Sequence, residues 1–262
     1  MKINVTFLEE IVKAFLQDES TFIKNAFKSK AGRAFMIHEQ MLNRKTTVKK
    51  VVKSFEQGDN QYNFQFIKKN LDQIESIKKY ICDNQIEISE ALLNQVSKYT
   101  KVKVNSDIEI CFYALGYDGG FFLFGNTLFV NIAQCMERWF SLIAHELYHS
   151  RKIKLNLKVK RALCNTGVFS NLFIKFKMDV LCWEEGIATL VEHDGEKPDD
   201  YDEIMNQHKE LKQMLSSNKK KKKEIWRYFN SQNLRYKVGW LIAYDHYKQY
   251  GASGLDCCLK GE

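Results

Sequence analysis

The segment "SLIAHELYHS" (141–150) carries two histidines, His145 and His149, and this pair constrains the fold more than any other feature of the chain. Residues four apart on an α-helix lie one turn above each other on the same face, so both imidazoles can point at one place. The neighbouring residues are mostly apolar, which predicts a buried helix. Because buried imidazoles need polar partners, a second segment of the chain is expected to supply them.

The composition is that of a globular protein. Of the 262 residues, 45% are hydrophobic and 13% are aromatic, which is enough for a large buried core. The formal net charge of +8 would suit nucleic acid, but the basic residues are scattered along the chain. The one charge run, "NKKKKKE" at 218–224, is typical of a solvated loop, and no RNA-binding aromatic motif or zinc-finger spacing accompanies it. Nucleic acid is therefore not the expected partner.

The amino terminus and the cysteines bear on the cellular compartment. No secretory leader is expected, because Glu9 and Glu10 interrupt the apolar core that such a leader needs. No stretch approaches the roughly 18 uncharged apolar residues of a membrane-spanning helix. The seven cysteines are an odd number without regular spacing, which fits reduced thiols better than a disulfide framework. The sequence therefore predicts a cytoplasmic protein without a membrane partner.

The pattern of apolar residues predicts two regions, 1–104 and 105–262, which can pack as one unit. In the first region, apolar positions recur at helical spacing in "FLEEIVKAFL" and "FIKKNLDQIESIKKYICDNQ", so it is predicted to be helical throughout. His38 lies there among apolar neighbours and is interpreted as a packed or surface histidine. No residue of this region is assigned a chemical role.

The second region begins with strands and continues with helices. The alternating segment "DIEICFYALG" (107–116) predicts a strand, and Gly125–Asn126 between two apolar runs predicts a hairpin. Helices are predicted near 134–153, 176–194 and 200–215, and one or two more over 224–251, ending near Gly251. The segment 154–170 is expected to be a loop or short helix. The predicted fold class is therefore α+β and mainly helical, with a small antiparallel sheet before the histidine helix.

The histidine pair has the spacing of a zinc site. In the order His-Glu-x-x-His, two neutral nitrogen donors share one helix face, and Glu146 lies beside them near the metal without having to bind it. The other interpretation is a polar helix face that carries an incidental histidine pair. Two imidazoles do not hold a catalytic zinc ion, which takes three protein ligands and leaves one position open for water. A third ligand is therefore needed.

The segment "CWEEGIATLVE" (182–192) offers that third ligand. Together with the histidine motif it resembles the gluzincin class of zinc metallopeptidases, in which a glutamate from a second helix completes the site. The resemblance places Glu185 at the ligand position and a further glutamate, Glu192, seven residues later. Two positions depart from the class pattern. Glu184 stands where the class usually has an asparagine, and Trp183 is one place nearer to the ligand position than the tryptophan of the class. Glu184 therefore stays open as the alternative ligand.

The resemblance also has implications for the packing around the zinc. Gly186 and Ala188 are expected to let the two zinc helices approach closely. His193 is expected at the end of the second helix and outside the metal shell. Gluzincins place a β-hairpin before the first zinc helix as the rim of the cleft, and Gly119–Gly120 would let a substrate backbone come close to that rim. A glycine turn that enters an ordinary strand is the alternative there.

The resemblance implies a hydrolytic mechanism. Zinc would lower the pKa of a water molecule and polarise the scissile carbonyl, and Glu146 would accept and return the proton. A donor from a late helix should then stabilise the oxyanion. Tyr236 is the predicted donor, and Tyr244 and His246 are the alternatives.

The predicted function is therefore a zinc-dependent metallopeptidase that acts on a peptide or protein substrate. Its zincin-like domain is expected to lie within 105–262. An endopeptidase or a narrow-specificity peptidase is favoured, because "DGGFF" stands where aminopeptidases carry a segment that grips the substrate amino terminus. Two alternatives stay open: a non-catalytic interaction module that is held together by zinc, and a basic nucleic-acid-associated protein.

Overall fold

The computed structural model describes residues 1–123, 126–150, 174–216 and 222–257. They form a mainly helical α+β structure with one small sheet, so the predicted fold class is confirmed. Four predicted features lie wholly or partly outside these ranges, namely Gly125 of the hairpin turn, the end of the histidine helix (151–153), the segment 154–170 and the lysine run.

The chain divides into two compact units. Unit 1 comprises residues 1–91 and 106–143, and unit 2 comprises residues 92–105 and 144–262. The helices are α1 (Thr6–Gln17), α2 (Ser20–Ala26), α3 (Lys30–Met41), α4 (Val48–Gln57), α5 (Phe64–Lys69), α6 (Leu71–Asp83), α7 (Gln85–Ser97), α8 (Ile132–Cys135), α9 (Trp139–His149), α10 (Ile174–Glu192), α11 (Tyr201–Ser216), α12 (Lys222–Ser231) and α13 (Leu234–Cys257).

Unit 1 contains the sheet. Its strands are β1 (Lys2–Asn4), β2 (Glu109–Tyr113), β3 (Gly120–Leu123) and β4 (Thr127–Asn131), in the spatial order β1-β2-β4-β3. β3 and β4 pair in antiparallel register and confirm the predicted hairpin. The other two pairs are parallel, so the sheet is mixed and not antiparallel throughout as predicted. β1 joins the sheet from the amino terminus, and β2 and β4 run parallel because β3, on the far side of β4, lies between them in the chain.

The strand β1 corrects the prediction that the first hundred residues are all helical. Three residues are too few to show a period of two, and the backbone partners of β1 lie about a hundred positions later in β2. Because β1 and β2 pair, residues on both sides of position 104 belong to unit 1. The separation of 1–104 from 105–262 as two functional regions stays a prediction.

The core of unit 1 is aromatic. Phe7, Phe27, Phe35 and Tyr113 meet edge to face at centroid distances of 5.7 to 6.1 Å, the arrangement that the ring quadrupole favours. The helices α1 and α3 thereby pack against β2. His38 stacks on Phe121 at 3.9 Å, in agreement with its interpretation as a packed histidine.

Unit 2 is built around two helices, α10 and α13, whose backbones touch. A Cβ atom on Gly186 would lie 2.1 Å from the Gly239 carbonyl, and one on Gly239 would lie 2.2 Å from the carbonyl oxygen of Cys182. Gly186 was predicted to allow close approach of the two zinc helices, but the three nearest atoms that a Cβ on it would meet all belong to Gly239 of α13. Helix α13 breaks at Gly251, where φ is +64°, as the predicted helix end near this residue requires.

We expect Gly186→Ala to lower the free energy of unfolding by about 3 kcal/mol, because the new methyl group would overlap backbone atoms that cannot rotate away. Chemical denaturation followed by circular dichroism measures this change. Gly119→Ala is the matched control, since its Cβ would meet only a Leu142 methyl group at 3.8 Å. We expect the control to stay within about 0.5 kcal/mol of the parent protein. Equal unfolding midpoints for the two variants would contradict the close crossing.

Within the described parts of the chain, no helix is both long enough and apolar enough to cross a membrane.

Candidate metal centre

The histidine helix α9 is anchored by apolar residues and presents its two imidazoles on one face. Ile143, Ala144 and Leu147 are fully buried, and His145 is only 6% exposed. The rings of His145 and His149 lie 5.1 Å apart, as expected for side chains one helical turn apart. All residues of the site described below belong to unit 2.

Glu185 of α10 meets both imidazoles. Its Oε2 atom lies 3.5 Å from Nε2 of His145 and 3.3 Å from Nε2 of His149. The three side chains can each offer one ligand atom, and these atoms all lie within 4.8 Å of one another. We refer to His145, His149 and Glu185 as the candidate metal group.

The candidate metal group fits a zinc ion. Tetrahedral zinc with bonds of about 2.0–2.2 Å separates neighbouring ligand atoms by roughly 3.3–3.6 Å. The two oxygen–nitrogen distances of 3.3 and 3.5 Å fall in this range. Two imidazoles and one carboxylate also form a donor set that suits zinc and leaves a coordination position open. The group can therefore bind a metal ion of this kind.

Electrostatic attraction between the imidazoles and the carboxylate holds the candidate metal group together. Burial would lower the pKa of His145, but hydrogen bonds to Glu185 and Glu192 outweigh burial and raise the pKa to about 9. Burial would likewise raise the pKa of Glu185, but its contacts with His145 and His149 hold it well below its ordinary value. At neutral pH His145 is therefore protonated, and its positive charge partly replaces the charge that a metal cation would supply.

Glu192 is the residue whose role was missed at the level of sequence. Its Oε2 atom lies 3.0 Å from Nδ1 of His145, the nitrogen opposite the one that faces Glu185. The signal was present, because residues seven apart on a helix share a face and both carboxylates can therefore reach one imidazole. Glu192 was noted only for its spacing. Metal-binding histidines commonly donate a hydrogen bond from their second ring N–H to a carboxylate in this way.

Glu184, the alternative ligand, lies on the other side of His149. Its Oε2 atom is 3.9 Å from Nδ1 of His149, whereas Glu185 faces Nε2. The Oε2 atom of Glu184 is thus not directed at the position on which the two Nε2 atoms converge. Nδ1 of His149 has no hydrogen-bond partner among the residues that the structure describes.

Glu146 and Tyr236 lie close to the candidate metal group. The half-buried Glu146 carboxylate interacts electrostatically with His145 and with Tyr236. The Tyr236 ring lies 6.2 Å from that of His145, and the Arg235 guanidinium covers it at 4.7 Å. Burial raises the pKa of the Tyr236 hydroxyl, and the charge of Glu185 raises it further. The phenol therefore stays protonated and able to donate a hydrogen bond.

The alternative donors have other neighbours. His246 packs against Trp183 at 5.2 Å and Tyr250 at 4.6 Å, and the Tyr244 ring lies under Lys248. His193 follows the end of α10 and stacks on Trp240 at 4.0 Å, in agreement with a position outside the metal shell.

The glycines of the hairpin have a packing reason of their own. A Cβ on Gly120 would lie 2.9 Å from the Phe129 carbonyl oxygen of the neighbouring strand. β3 is an outer strand of the sheet, and its residues are half-buried. The expected pairing of a substrate backbone with this strand stays a prediction.

These observations define a mainly helical α+β protein with a buried His-His-Glu group that can hold a metal ion. Comparison with known families leads to the same class. Residues 10–255 match the family described as "Putative zinc dependent peptidase (DUF5700)", and the chain belongs to this family. The family description agrees with zinc as the predicted cofactor. Searches among curated proteins and among solved structures gave no match.

Proposed function

We propose that the protein is a zinc-dependent peptidase of the gluzincin kind, with zinc held by His145, His149 and Glu185. The observation that carries the proposal is the convergence of the two Nε2 atoms on Oε2 of Glu185, with Glu146 on the same helix as the histidines. Glu146 favours a catalytic role, because a structural zinc site or an interaction module that is held together by zinc does not need this carboxylate.

Different residues of the chain have different roles in the proposed peptide hydrolysis. When bound, zinc supplies a Lewis acid that polarises a carbonyl group and makes water more acidic. The Glu146 carboxylate accepts the proton of the attacking water and delivers it to the leaving amine. The Tyr236 hydroxyl donates a hydrogen bond to the carbonyl oxygen as negative charge develops on it. Glu192 holds His145 through Nδ1, so that Nε2 faces the metal position.

An endopeptidase or narrow-specificity activity is the finer part of the proposal, supported by the segment "DGGFF" at 118–122. The cytoplasm is the proposed compartment. Among the described residues, Cys82, Cys111, Cys135 and Cys182 are free thiols, which supports a reducing compartment.

Metal removal and restoration test the proposal. The full chain is loaded with zinc and incubated with an unfolded protein and a mixed peptide library, and new amino groups are measured. We expect cleavage that stops when a chelator removes the metal and returns when zinc is restored, because the site residues alone do not polarise the carbonyl. Cleavage that is indifferent to the chelator, or a zinc-loaded protein that cleaves no member of the library, would contradict the proposal.

We expect Glu192→Gln to weaken zinc binding by about 10- to 100-fold while the fold is kept. The amide still fills the space, but it no longer offers the charge that orients His145 and makes its ring more basic. Competition with a chromophoric chelator measures the zinc affinity. Glu196→Gln, beyond the end of α10, is the control and should bind zinc as the parent protein does.

The pH dependence of zinc binding separates this positioning role from a structural one. With a pKa of about 9, His145 is protonated at pH 7.5 in the metal-free protein, so zinc binding should release about one proton and tighten as the pH rises toward 9. Without the Glu192 charge the pKa of His145 falls, and fewer protons are released. Calorimetry in buffers of different ionisation enthalpy measures the number. Equal proton release by both proteins would contradict the role of Glu192.

A further inference from the structure

Unit 2 contains a cavity that is separate from the candidate metal group. It has a volume of about 490 Å³ and lies between α10, α11 and α13. This is within the range of about 300–1,000 Å³ that is typical of small-molecule sites. Its inner wall is apolar and is formed by Met178, Cys182, Leu211 and Val238, all of them buried. The cavity could therefore bury an aliphatic or aromatic group of moderate size.

The mouth of the cavity is polar and carries more positive than negative charge. Lys175 and Asp179 come from α10, and His208 and Lys212 come from α11. None of these four side chains makes a hydrogen bond or a close ion pair with another described residue, and the Asp179 carboxylate interacts with the charges of Lys175 and Lys212 at longer range. Burial lowers the pKa of His208, and Lys212 lowers it further, so this imidazole is neutral. Two ammonium groups thus face one carboxylate, and both keep their capacity to donate hydrogen bonds.

We propose that this cavity binds a small amphiphilic carboxylate, with its apolar chain between α10, α11 and α13 and its carboxylate against the ammonium groups of Lys175 and Lys212. Burial against the apolar wall favours a ligand that has a hydrocarbon chain. The excess positive charge at the mouth selects an anionic head group over a neutral or cationic one. Neither lysine belongs to the candidate metal group, so the proposal is independent of peptidase activity.

Calorimetric titration of the full chain with decanoate, below its micelle concentration, tests the proposal. Decanol and decylammonium serve as probes of equal chain length. We expect one saturable site for decanoate, with the other two probes bound at least about tenfold more weakly because they lack the anionic group. Three probes that bind equally well would overturn the proposal, since the cavity would then select only the apolar chain.

Variants locate the binding. Lys175→Met with Lys212→Met should weaken decanoate binding by about tenfold, and Ile242→Trp, which fills the cavity, should abolish it. Lys209→Met, an exposed change on α11 outside the cavity, is the matched control and should bind as the parent does. Decanoate binding that is unchanged in the double lysine variant would overturn the proposal even if the tryptophan variant failed to fold.

Discussion

Glu185→Ala is expected to lower the zinc affinity by more than about 100-fold, so that the purified variant holds almost no zinc while the parent holds about one ion per chain. The expectation follows from the geometry of the candidate metal group. Oε2 of Glu185 lies within 3.5 Å of both Nε2 atoms, and two imidazoles alone do not hold a catalytic zinc ion. Elemental analysis after dialysis against a weak chelator measures the metal content, and circular dichroism checks the fold.

Glu184→Ala is the matched control for this experiment, because it removes the adjacent carboxylate from the same helix. Glu184 lies 3.9 Å from Nδ1 of His149, too far for a hydrogen bond that would orient the ring, so this variant should keep its zinc. A Glu185→Ala protein that retains one zinc ion would disprove the ligand assignment. If the Glu184→Ala protein lost its zinc and the Glu185→Ala protein kept it, the ligand role would belong to Glu184.

Glu146→Gln is expected to reduce peptide cleavage by about 10²- to 10⁴-fold without loss of zinc, because the amide cannot accept the proton of the attacking water. The change affects kcat and leaves the metal content near one ion per chain. Measurement of zinc and of cleavage rate on the same preparation separates the two effects. A variant that loses both would point to a structural role.

Glu137→Gln provides the control for charge alone, since Glu137 is exposed and precedes the histidine helix. Its cleavage rate should match that of the parent protein. If Glu146→Gln cleaved peptides at the parental rate, Glu146 could not be the proton acceptor, and the non-catalytic alternative would gain support.

Much of the fold was predictable because its signals are local. The α10 helix was predicted at 176–194 and is observed at 174–192, and the hairpin strands fall at the predicted apolar runs. Helical and alternating periodicity are properties of neighbouring residues, so a single sequence carries them. The strand β1 was missed because it is short and is stabilised by hydrogen bonds to β2, about a hundred residues away.

The residues of the candidate metal group were not equally predictable from the sequence. Helical spacing put His145 and His149 on one face, but Glu185 came from the resemblance to gluzincins. The choice between Glu184 and Glu185 depends on the rotation of α10 relative to α9, which no spacing within α10 specifies. The structure brings Glu185 to both Nε2 atoms, and its role as a ligand stays a prediction.

The sequence by itself determined α10, the hairpin and the shared face of the histidine pair, because each depends on residues a few positions apart. The helix predicted at 134–153 is interrupted in the structure, where α8 ends at Cys135 and α9 begins at Trp139. Only the tertiary structure decided that Glu192 contacts Nδ1 of His145 and that Gly186 packs against Gly239. The first contact joins residues 47 positions apart and the second joins residues 53 positions apart. Such pairs are selected by close packing of whole helices, in which a small rotation exchanges one neighbour for another.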